Sequence, residues 1–171
     1  SLDSLDLSLI ISTSLLITVL YTPLFKPVAW LKNISVAIVV ASTPLVGALS
    51  AGGDSNYDNV FKMCVAIFFS IMHKEIIMDI LDLEDDLNSG IVTIPGKYGI
   101  DFALNVSISL SFLTFLIAQD SLLQNIGALS MFLGVLRCKT GQRENDEKFE
   151  DVLRSFKFTS AFLIWAFVSS N

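Results

Sequence analysis

Residues 74–95 read Lys-Glu-Ile-Ile-Met-Asp-Ile-Leu-Asp-Leu-Glu-Asp-Asp-Leu-Asn-Ser-Gly-Ile-Val-Thr-Ile-Pro, an apolar stretch interrupted by acids at helical spacing. An α-helix turns by about 100° per residue, so four of the acids share a stripe roughly 60° wide: Glu75, Asp79, Asp82 and Asp86. Like charges this close repel one another, most strongly where water is scarce. We therefore expect a cation here, and carboxylate oxygens suit Mg²⁺, which keeps other positions for water or phosphate. The alternative is a solvated acidic helix end.

The sequence on both sides of this acidic stripe favours a functional site. The stripe continues directly from residues 60–81, whose first half is strongly apolar, and ionisable groups near the mouth of a buried helix are functional candidates. After the stripe, Asn88-Ser89-Gly90 and then Pro95 predict a sharp helix end and a reversal of the chain.

The composition of the whole chain is that of a membrane protein. Of its 171 residues 53% are hydrophobic and 16% are charged, and the mean hydropathy is +0.65. Soluble domains have roughly 25% charged residues. We expect an all-α, multi-pass transmembrane helical bundle of about six spans, at residues 5–22, 30–51, 60–83, 102–118, 122–136 and 156–168. Pro23 and Pro27 are expected to bracket the loop after the first span, and Pro44 to kink the second.

Charge and cysteine content exclude several other classes of function. A net charge of −6 argues against nucleic acid as a partner. The two cysteines, Cys64 and Cys138, have no metal-binding spacing and do not form a disulfide framework. His73 is the only histidine, and no zinc motif surrounds it.

The basic residues predict the orientation of the bundle. With six spans, one side of the membrane would hold nine of them, and the other side would hold Lys62. By the positive-inside rule the first side is cytosolic, stromal or matrix, and the acidic stripe lies on it. The nine are Lys26, Lys32, Lys97, Arg137, Lys139, Arg143, Lys148, Arg154 and Lys157.

Two stretches carry a resemblance to a known family. Asp79-x-x-Asp82-x-x-x-Asp86, followed by Gly90, Thr93 and Pro95, resembles the second aspartate-rich motif of the UbiA superfamily of intramembrane prenyltransferases. Upstream, Tyr21-Thr22-Pro23-Leu24-Phe25-Lys26, then Asn33 and Pro44-Leu45-x-Gly47, is similar to the tyrosine-and-lysine loop of that family and the helix after it. The sequence of residues 75–95 is most similar to that of the digeranylgeranylglyceryl phosphate synthase-like branch. Asp85 stands where that branch usually has glycine, and Leu87 where it usually has arginine.

The resemblance implies a function and a set of site residues. It implies transfer of a prenyl group from an isoprenoid diphosphate to a lipophilic acceptor within the membrane lipid. Mg²⁺ would be held by Asp79, Asp82 and Asp86, while Lys26 and Tyr21 would donate to the diphosphate. Further substrate contacts are implied for Asn33, Glu75 and Thr93.

The resemblance also implies parts that this sequence does not show. The family fold has nine helices and a first aspartate motif of the form Asn-x-x-x-Asp-x-x-x-Asp, and Asp3 and Asp6 lack its asparagine and spacing. The six predicted spans match the last six helices of that fold. We therefore expect residues 1–171 to be a single membrane domain, incomplete at the N-terminus, that inserts but does not catalyse alone. The alternative is a truncated, non-catalytic relative that acts as a scaffold or partner-binding subunit.

Overall fold

The computed structural model describes residues 2–51, 57–118 and 122–141. Within these ranges the chain is helical and has no β-strand, which confirms the all-α prediction. The helices are α1 (Leu2–Leu20), a π-helical segment (Tyr21–Phe25), α2 (Ala29–Ala41), α3 (Thr43–Ala51), α4 (Tyr57–Leu81), α5 (Leu83–Asn88), α6 (Ile94–Tyr98), α7 (Ile100–Ile117) and α8 (Leu122–Gly141).

Helix α4 lies at the centre of the bundle. It packs against α2 on one side and α7 on the other, and α7 also packs against α8. Small side chains recur at every fourth position of α2 and are buried, which allows its backbone to approach α4 closely. These residues are Ala29, Asn33, Ala37 and Ala41. Larger apolar side chains fill the space between α4, α7 and α8, among them Ile76, Leu104, Met131 and Val135.

Three of the described helical segments are long and apolar enough to cross a membrane: Leu5–Phe25, Ala29–Ala51 and Ile100–Ile117. They correspond to the first, second and fourth predicted spans. The third and fifth form helices α4 and α8 but do not meet the same criterion, because α4 carries Lys74, Glu75 and Asp79 and α8 has a more polar sequence. The sixth predicted span, 156–168, lies outside the described residues.

The sequence predicted that the first span ends in a loop at Pro23, and this prediction is wrong. The helix continues through Tyr21–Phe25 as a π-helical turn, closed by a bond from the Lys26 N–H to the Tyr21 carbonyl at 2.7 Å. Proline has no N–H to donate, and a wider turn tolerates it because the hydrogen-bond register shifts there. The turn places Tyr21 at the end of the span, facing α2.

Pro44 interrupts the second span as predicted, since α2 ends at Ala41 and α3 begins at Thr43. Proline at this position cannot donate to the Val40 carbonyl. The Thr43 hydroxyl donates to that carbonyl instead, at 2.8 Å, and the neighbouring Ser42 hydroxyl donates to Val39 at 2.8 Å. Hydroxyl groups thus satisfy the backbone at a break within a membrane-type helix.

The acidic helix was predicted as one continuous element, and this prediction is wrong at Asp82. Helix α4 ends at Leu81 and α5 begins at Leu83, with Asp82 at φ −96° and ψ 11°. The bend is slight, because the Asp82 N–H still donates to Met78 and its carbonyl still accepts from Asp86, both at 2.9 Å. The stripe is consequently split between two helices.

Helix α5 ends at Asn88, and Gly90 follows it as the turn residue that the sequence predicted. Gly90 has a φ of 70°, its N–H donates to the Leu87 carbonyl at 3.1 Å, and the Ile91 N–H donates to Asp86 at 2.9 Å. This pair of bonds is a Schellman motif, which favours glycine because its backbone adopts a left-handed conformation. The motif turns the chain back and fixes the short helix that carries Asp86.

Candidate active site

One lysine of α2 joins the two acidic helices. The Lys32 Nζ donates to Asp79 Oδ1 at 2.7 Å and to Asp86 Oδ2 at 3.4 Å. The side chains of Lys32 and Asp86 are 12% and 13% exposed, and that of Asp79 is 2% exposed. A charge-assisted contact of this kind is stronger than one between neutral groups, and burial makes it stronger still. The expectation of a cation at the stripe is therefore met, within the protein, by an ammonium group.

Asn33, the residue after Lys32, holds the second oxygen of Asp79. Its Nδ2 donates to Asp79 Oδ2 at 3.0 Å, and the side chain is fully buried. Both oxygens of Asp79 are thus fixed by α2. The Oδ1 of Asn33 is buried and has no hydrogen-bond partner among the described residues. A buried carbonyl oxygen left without a donor costs roughly 1–3 kcal/mol, so this oxygen is available to a ligand.

Tyr21 and Glu75 lie at the edge of the same cluster. Tyr21 is within electrostatic range of Lys32, Glu75, Asp79 and Asp86. Glu75 interacts electrostatically with Asp79 and Lys32, and its carboxylate forms an ion pair with the neighbouring Lys74 at 3.7 Å. The structure thus brings together five of the residues selected from the sequence: Tyr21, Asn33, Glu75, Asp79 and Asp86. We refer to these five residues and Lys32 as the acidic cluster.

Three other predicted site residues are not part of this cluster, namely Asp82, Lys26 and Thr93. Asp82 is exposed at the break between α4 and α5, and Lys26 is half-buried after the π-helical turn. Neither side chain makes a hydrogen bond or ion pair to another residue in the described ranges. Their assignments to metal and diphosphate stay predictions.

Thr93 has a structural role in the described chain. It is fully buried at the start of α6, where its hydroxyl oxygen accepts a hydrogen bond from the Gly96 N–H at 3.4 Å. Thr93 therefore caps a helix, which is a common use of threonine at this position. The substrate contact implied for it stays a prediction.

The metal site implied by the resemblance is not preassembled in the described part of the chain. There, no three histidine, cysteine, aspartate or glutamate side chains converge closely enough to hold a metal ion. Two carboxylates do converge, those of Asp79 and Asp86, and they already share one cation in Lys32. Mg²⁺ needs only one or two carboxylates from a protein when a substrate phosphate completes its shell. The donor set therefore fits Mg²⁺ bound together with a phosphate.

An apolar cavity of about 210 Å³ opens between α1 and α2 and reaches the acidic cluster at Tyr21. Its lining is apolar apart from Thr18, Tyr21 and Ser35, and it is completed by Ile17, Val36, Val39 and Val40. Tyr21 belongs to both the cavity and the cluster. An elongated apolar group in this cavity could therefore have one end beside Tyr21, at the edge of the acidic cluster.

Lys32 is the functional candidate that the sequence analysis missed. It was counted there only as one of the basic residues that set the orientation. Its position in the first turn of an apolar span was an available signal, because a lysine within a membrane segment is costly unless an acid pairs with it. The signal did not identify the acid, since Asp79 lies 47 residues further along the chain.

Comparison with known proteins identifies the family of the chain. Residues 3–164 match the UbiA prenyltransferase family. The digeranylgeranylglyceryl phosphate synthase of Pyrococcus abyssi is 33% identical over 81 residues, which is 46% of this chain and 27% of that protein. The enzyme of the same name from Thermococcus kodakarensis is 27% identical over 161 residues, 87% of this chain and 57% of that protein. The enzyme of that name from Haloquadratum walsbyi is 35% identical over 94 residues, which is 55% of this chain and 32% of that protein.

The chain spans at most 57% of the length of each of these three relatives. No solved structure matches it significantly. The family match covers nearly the whole chain and includes both the tyrosine-and-lysine stretch and the acidic helices that meet at Lys32. The chain therefore belongs to the UbiA prenyltransferase family.

Proposed function

We propose that the chain serves Mg²⁺-dependent transfer of a prenyl group from an isoprenoid diphosphate to a lipophilic acceptor within the membrane. The observation that carries this proposal is the acidic cluster itself. Asp79, Asp86, Lys32 and Asn33 meet at one end of a membrane-type bundle, and an apolar cavity begins beside them at Tyr21. A substrate with a charged head and an apolar tail matches this arrangement. The names of the curated relatives support the same chemistry.

The protein groups have separate roles in this proposal. Asp79 and Asp86 would hold Mg²⁺, with Asp82 as the third ligand that the family motif implies. Bound Mg²⁺ would neutralise the negative charge that develops on the leaving diphosphate. Asn33 fixes the orientation of Asp79, so that carboxylate is ordered before the substrate arrives. Tyr21 would donate to the diphosphate, with Lys26 as a second donor.

The cavity between α1 and α2 would hold the first part of the isoprenoid tail. Its valine and isoleucine side chains offer no nucleophile and would limit the access of water to the allylic carbon, while the hydroxyl groups of the lining are those of Thr18, Tyr21 and Ser35. Exclusion of water matters because an allylic centre that is losing its diphosphate reacts with any nucleophile nearby. The cavity thus favours transfer to the acceptor over hydrolysis.

We propose further that the acidic cluster faces the cytosolic, stromal or matrix side. The support is the distribution of basic residues: Lys26, Lys32 and Lys97 lie near the cluster end of the bundle, as does Lys139, which contacts Asp101 and Asn105 at the start of α7. The test is labelling with a membrane-impermeant maleimide after replacement of Cys64 and Cys138. Ser89→Cys should react from the cytosolic side, and Asp58→Cys, at the other end of α4, from the opposite side. The reverse pattern would contradict this orientation.

Because residues 1–171 are not expected to catalyse alone, the proposed activity is tested by a prenyl-transfer assay in membranes that contain the full-length protein. The substrates are isoprenoid diphosphates of several lengths, with phenolic, chlorin and glycerol-phosphate acceptors, assayed with and without Mg²⁺. Asp79→Asn should lower transfer by roughly a hundredfold or more, because it removes a buried charge that the site is built around. The matched control is Asp85→Asn, the same change on the exposed side of α5, which should leave transfer within about twofold.

A second candidate is a non-catalytic scaffold, and one observation favours it. Lys32 already neutralises much of the charge of Asp79 and Asp86, as a purely structural ion pair would. Under this alternative, Asp79→Asn would destabilise the bundle, and neither wild type nor any variant would bind pyrophosphate. Pyrophosphate binding that requires both Mg²⁺ and Asp79 would exclude the scaffold.

A further inference from the structure

We propose that Lys32 is the resident cation of this site: it holds Asp79 and Asp86 together in the absence of a divalent metal, and becomes a ligand of the diphosphate once the metal replaces it. This inference rests on the proposed function, because it assigns a partner to Lys32 within the same site. It makes Lys32 a diphosphate-binding residue in addition to the tyrosine and lysine of the family motif.

The first argument is the geometry of Lys32. Its ammonium group is nearly buried and contacts one oxygen from each acidic helix, at 2.7 Å and 3.4 Å. An ammonium group has three protons, and in the described part of the chain Lys32 uses two of them, on Asp79 and Asp86. The side chain is long and flexible, with its charge concentrated at the tip. It can therefore move from the carboxylates to a nearby anion without movement of α2.

The second argument is competition for the same oxygen atoms. Mg²⁺ coordinates oxygen at about 2.1 Å, and it cannot share Asp79 Oδ1 with an ammonium nitrogen without strong repulsion between the two cations. A metal ion arriving alone would have to displace Lys32 and leave its charge without a partner. A metal ion arriving with diphosphate gives the displaced ammonium group a new anion. Lys32 should therefore couple the binding of metal and diphosphate, each making the other tighter.

A third, independent observation points to a ligand at this position. Asn33 is fully buried and donates to Asp79, yet its Oδ1 meets no donor among the described residues. A fixed amide oxygen beside a carboxylate is a suitable ligand for a hard cation or an acceptor for metal-bound water. Once Lys32 leaves, the remaining groups form an oxygen-rich site composed of Asn33, Asp79 and Asp86.

The experiment measures two affinities of the purified protein in detergent. The affinity for Mn²⁺ alone is measured from the electron paramagnetic resonance signal of free Mn²⁺. The affinity for inorganic pyrophosphate at saturating Mn²⁺ is measured by equilibrium dialysis. The variants are Lys32→Gln, which can still donate a hydrogen bond, Lys32→Arg, which retains the charge, Asp79→Asn, and the control Lys97→Gln, which removes an exposed lysine of α6. Lys32→Met, with a long apolar stem, replaces Lys32→Gln if that variant does not fold.

The two affinities should change in opposite directions. Lys32→Gln should bind Mn²⁺ alone roughly tenfold or more tightly, because the competing charge is gone, and should bind pyrophosphate roughly tenfold more weakly. Lys97→Gln should keep both values within about threefold of wild type. Lys32→Arg, which retains the charge, should lie between wild type and Lys32→Gln in both affinities. Weakening of both affinities in Lys32→Gln would indicate a merely structural role and overturn the inference, as would no change in either.

The same data separate this inference from the proposed function. Loss of Mn²⁺ binding in Asp79→Asn, with an unchanged Lys32→Gln, would overturn only the role of Lys32. Absence of both Mn²⁺ and pyrophosphate binding in wild type would overturn the proposed function and the role of Lys32 with it.

Discussion

Two of the polar contacts that helix α4 makes with its neighbours lie less than two turns apart and differ in charge and in position along the helix. His73 Nδ1 and Ser107 Oγ lie 2.5 Å apart across the interface with α7, and both residues are fully buried. Asp79 is held by Lys32 and Asn33 across the interface with α2, beside residues that are exposed. The first contact is between neutral side chains within the apolar core. The second involves full charges at the mouth of a cavity.

The difference shows how one helix can combine packing and chemistry. A neutral hydrogen bond between buried helices contributes to association and leaves no group free for a substrate. A charged cluster deep in the same core would be costly, so it lies near the end of the bundle, where its side chains are nearly buried and adjoin the cavity at Tyr21. The two roles are therefore separated along α4: the packing contact at His73 lies deeper in the bundle, and the charged contact at Asp79 lies nearer its end. The following predictions test whether this separation holds.

The largest effect is expected from Asp86, on the charged side of the comparison. Asp86→Asn should raise the Kd for pyrophosphate at saturating Mg²⁺ by roughly tenfold to a hundredfold, because a hydrogen-bonded charge contributes about 1.5–3 kcal/mol. Equilibrium dialysis gives this value directly. If Ser107→Ala, at the neutral contact with His73, weakens pyrophosphate binding as much as Asp86→Asn does, the two contacts do not have separate roles.

The next effect concerns the neutral contact and should appear in stability alone. Ser107→Ala removes the hydroxyl that meets His73 and should lower the free energy of unfolding by about 1–3 kcal/mol. The Kd for pyrophosphate should stay within about twofold. Chemical unfolding in detergent micelles measures the first quantity. The matched control is Ser109→Ala on the exposed side of α7, where the hydroxyl bonds only its own helix and the expected change is within about 0.5 kcal/mol.

The sequence predicted the helices and the acidic end of the bundle because these depend on local pattern. Apolar runs of the right length became helices in every predicted span that lies in the described ranges, and Gly90 ended α5 as expected. The approach of Asp79 to Asp86 also follows from helical spacing, which survives the slight bend at Asp82. Asn33 was identified through its place in a motif, and the structure brings it to Asp79.

The partner of the carboxylates could not be predicted in the same way. Whether Lys32 reaches Asp79 depends on the rotation of α2 against α4, and that rotation is set by the small residues along α2, from Ala29 to Ala41. The π-helical turn at Tyr21 was hidden for a related reason. Pro23 indicates a broken backbone bond, and the packing decides whether the chain turns away or widens its helix.

The smallest effect should come from substitution of Gly90, which forms the turn after the helix that carries Asp86 and has no charge of its own. Its φ of 70° favours glycine, so Gly90→Ala should cost roughly 1 kcal/mol of unfolding free energy even though no atom lies within 4 Å of the added Cβ position. The control is Gly47→Ala in α3, where no positive φ and no close neighbour oppose the change. That variant should be neutral or stabilising by up to about 1 kcal/mol, since alanine favours helix interiors. Opposite signs at two equally uncrowded glycines would show that backbone conformation, and not space, fixes the end of α5.

Because the Ile91 N–H bonds the carbonyl of Asp86 in the same turn, a strained Gly90→Ala should also weaken pyrophosphate binding, by about twofold at most. A larger loss of binding would mean that the Schellman motif positions Asp86 for the substrate. The backbone of this turn would then belong to the functional site together with the charged side chains.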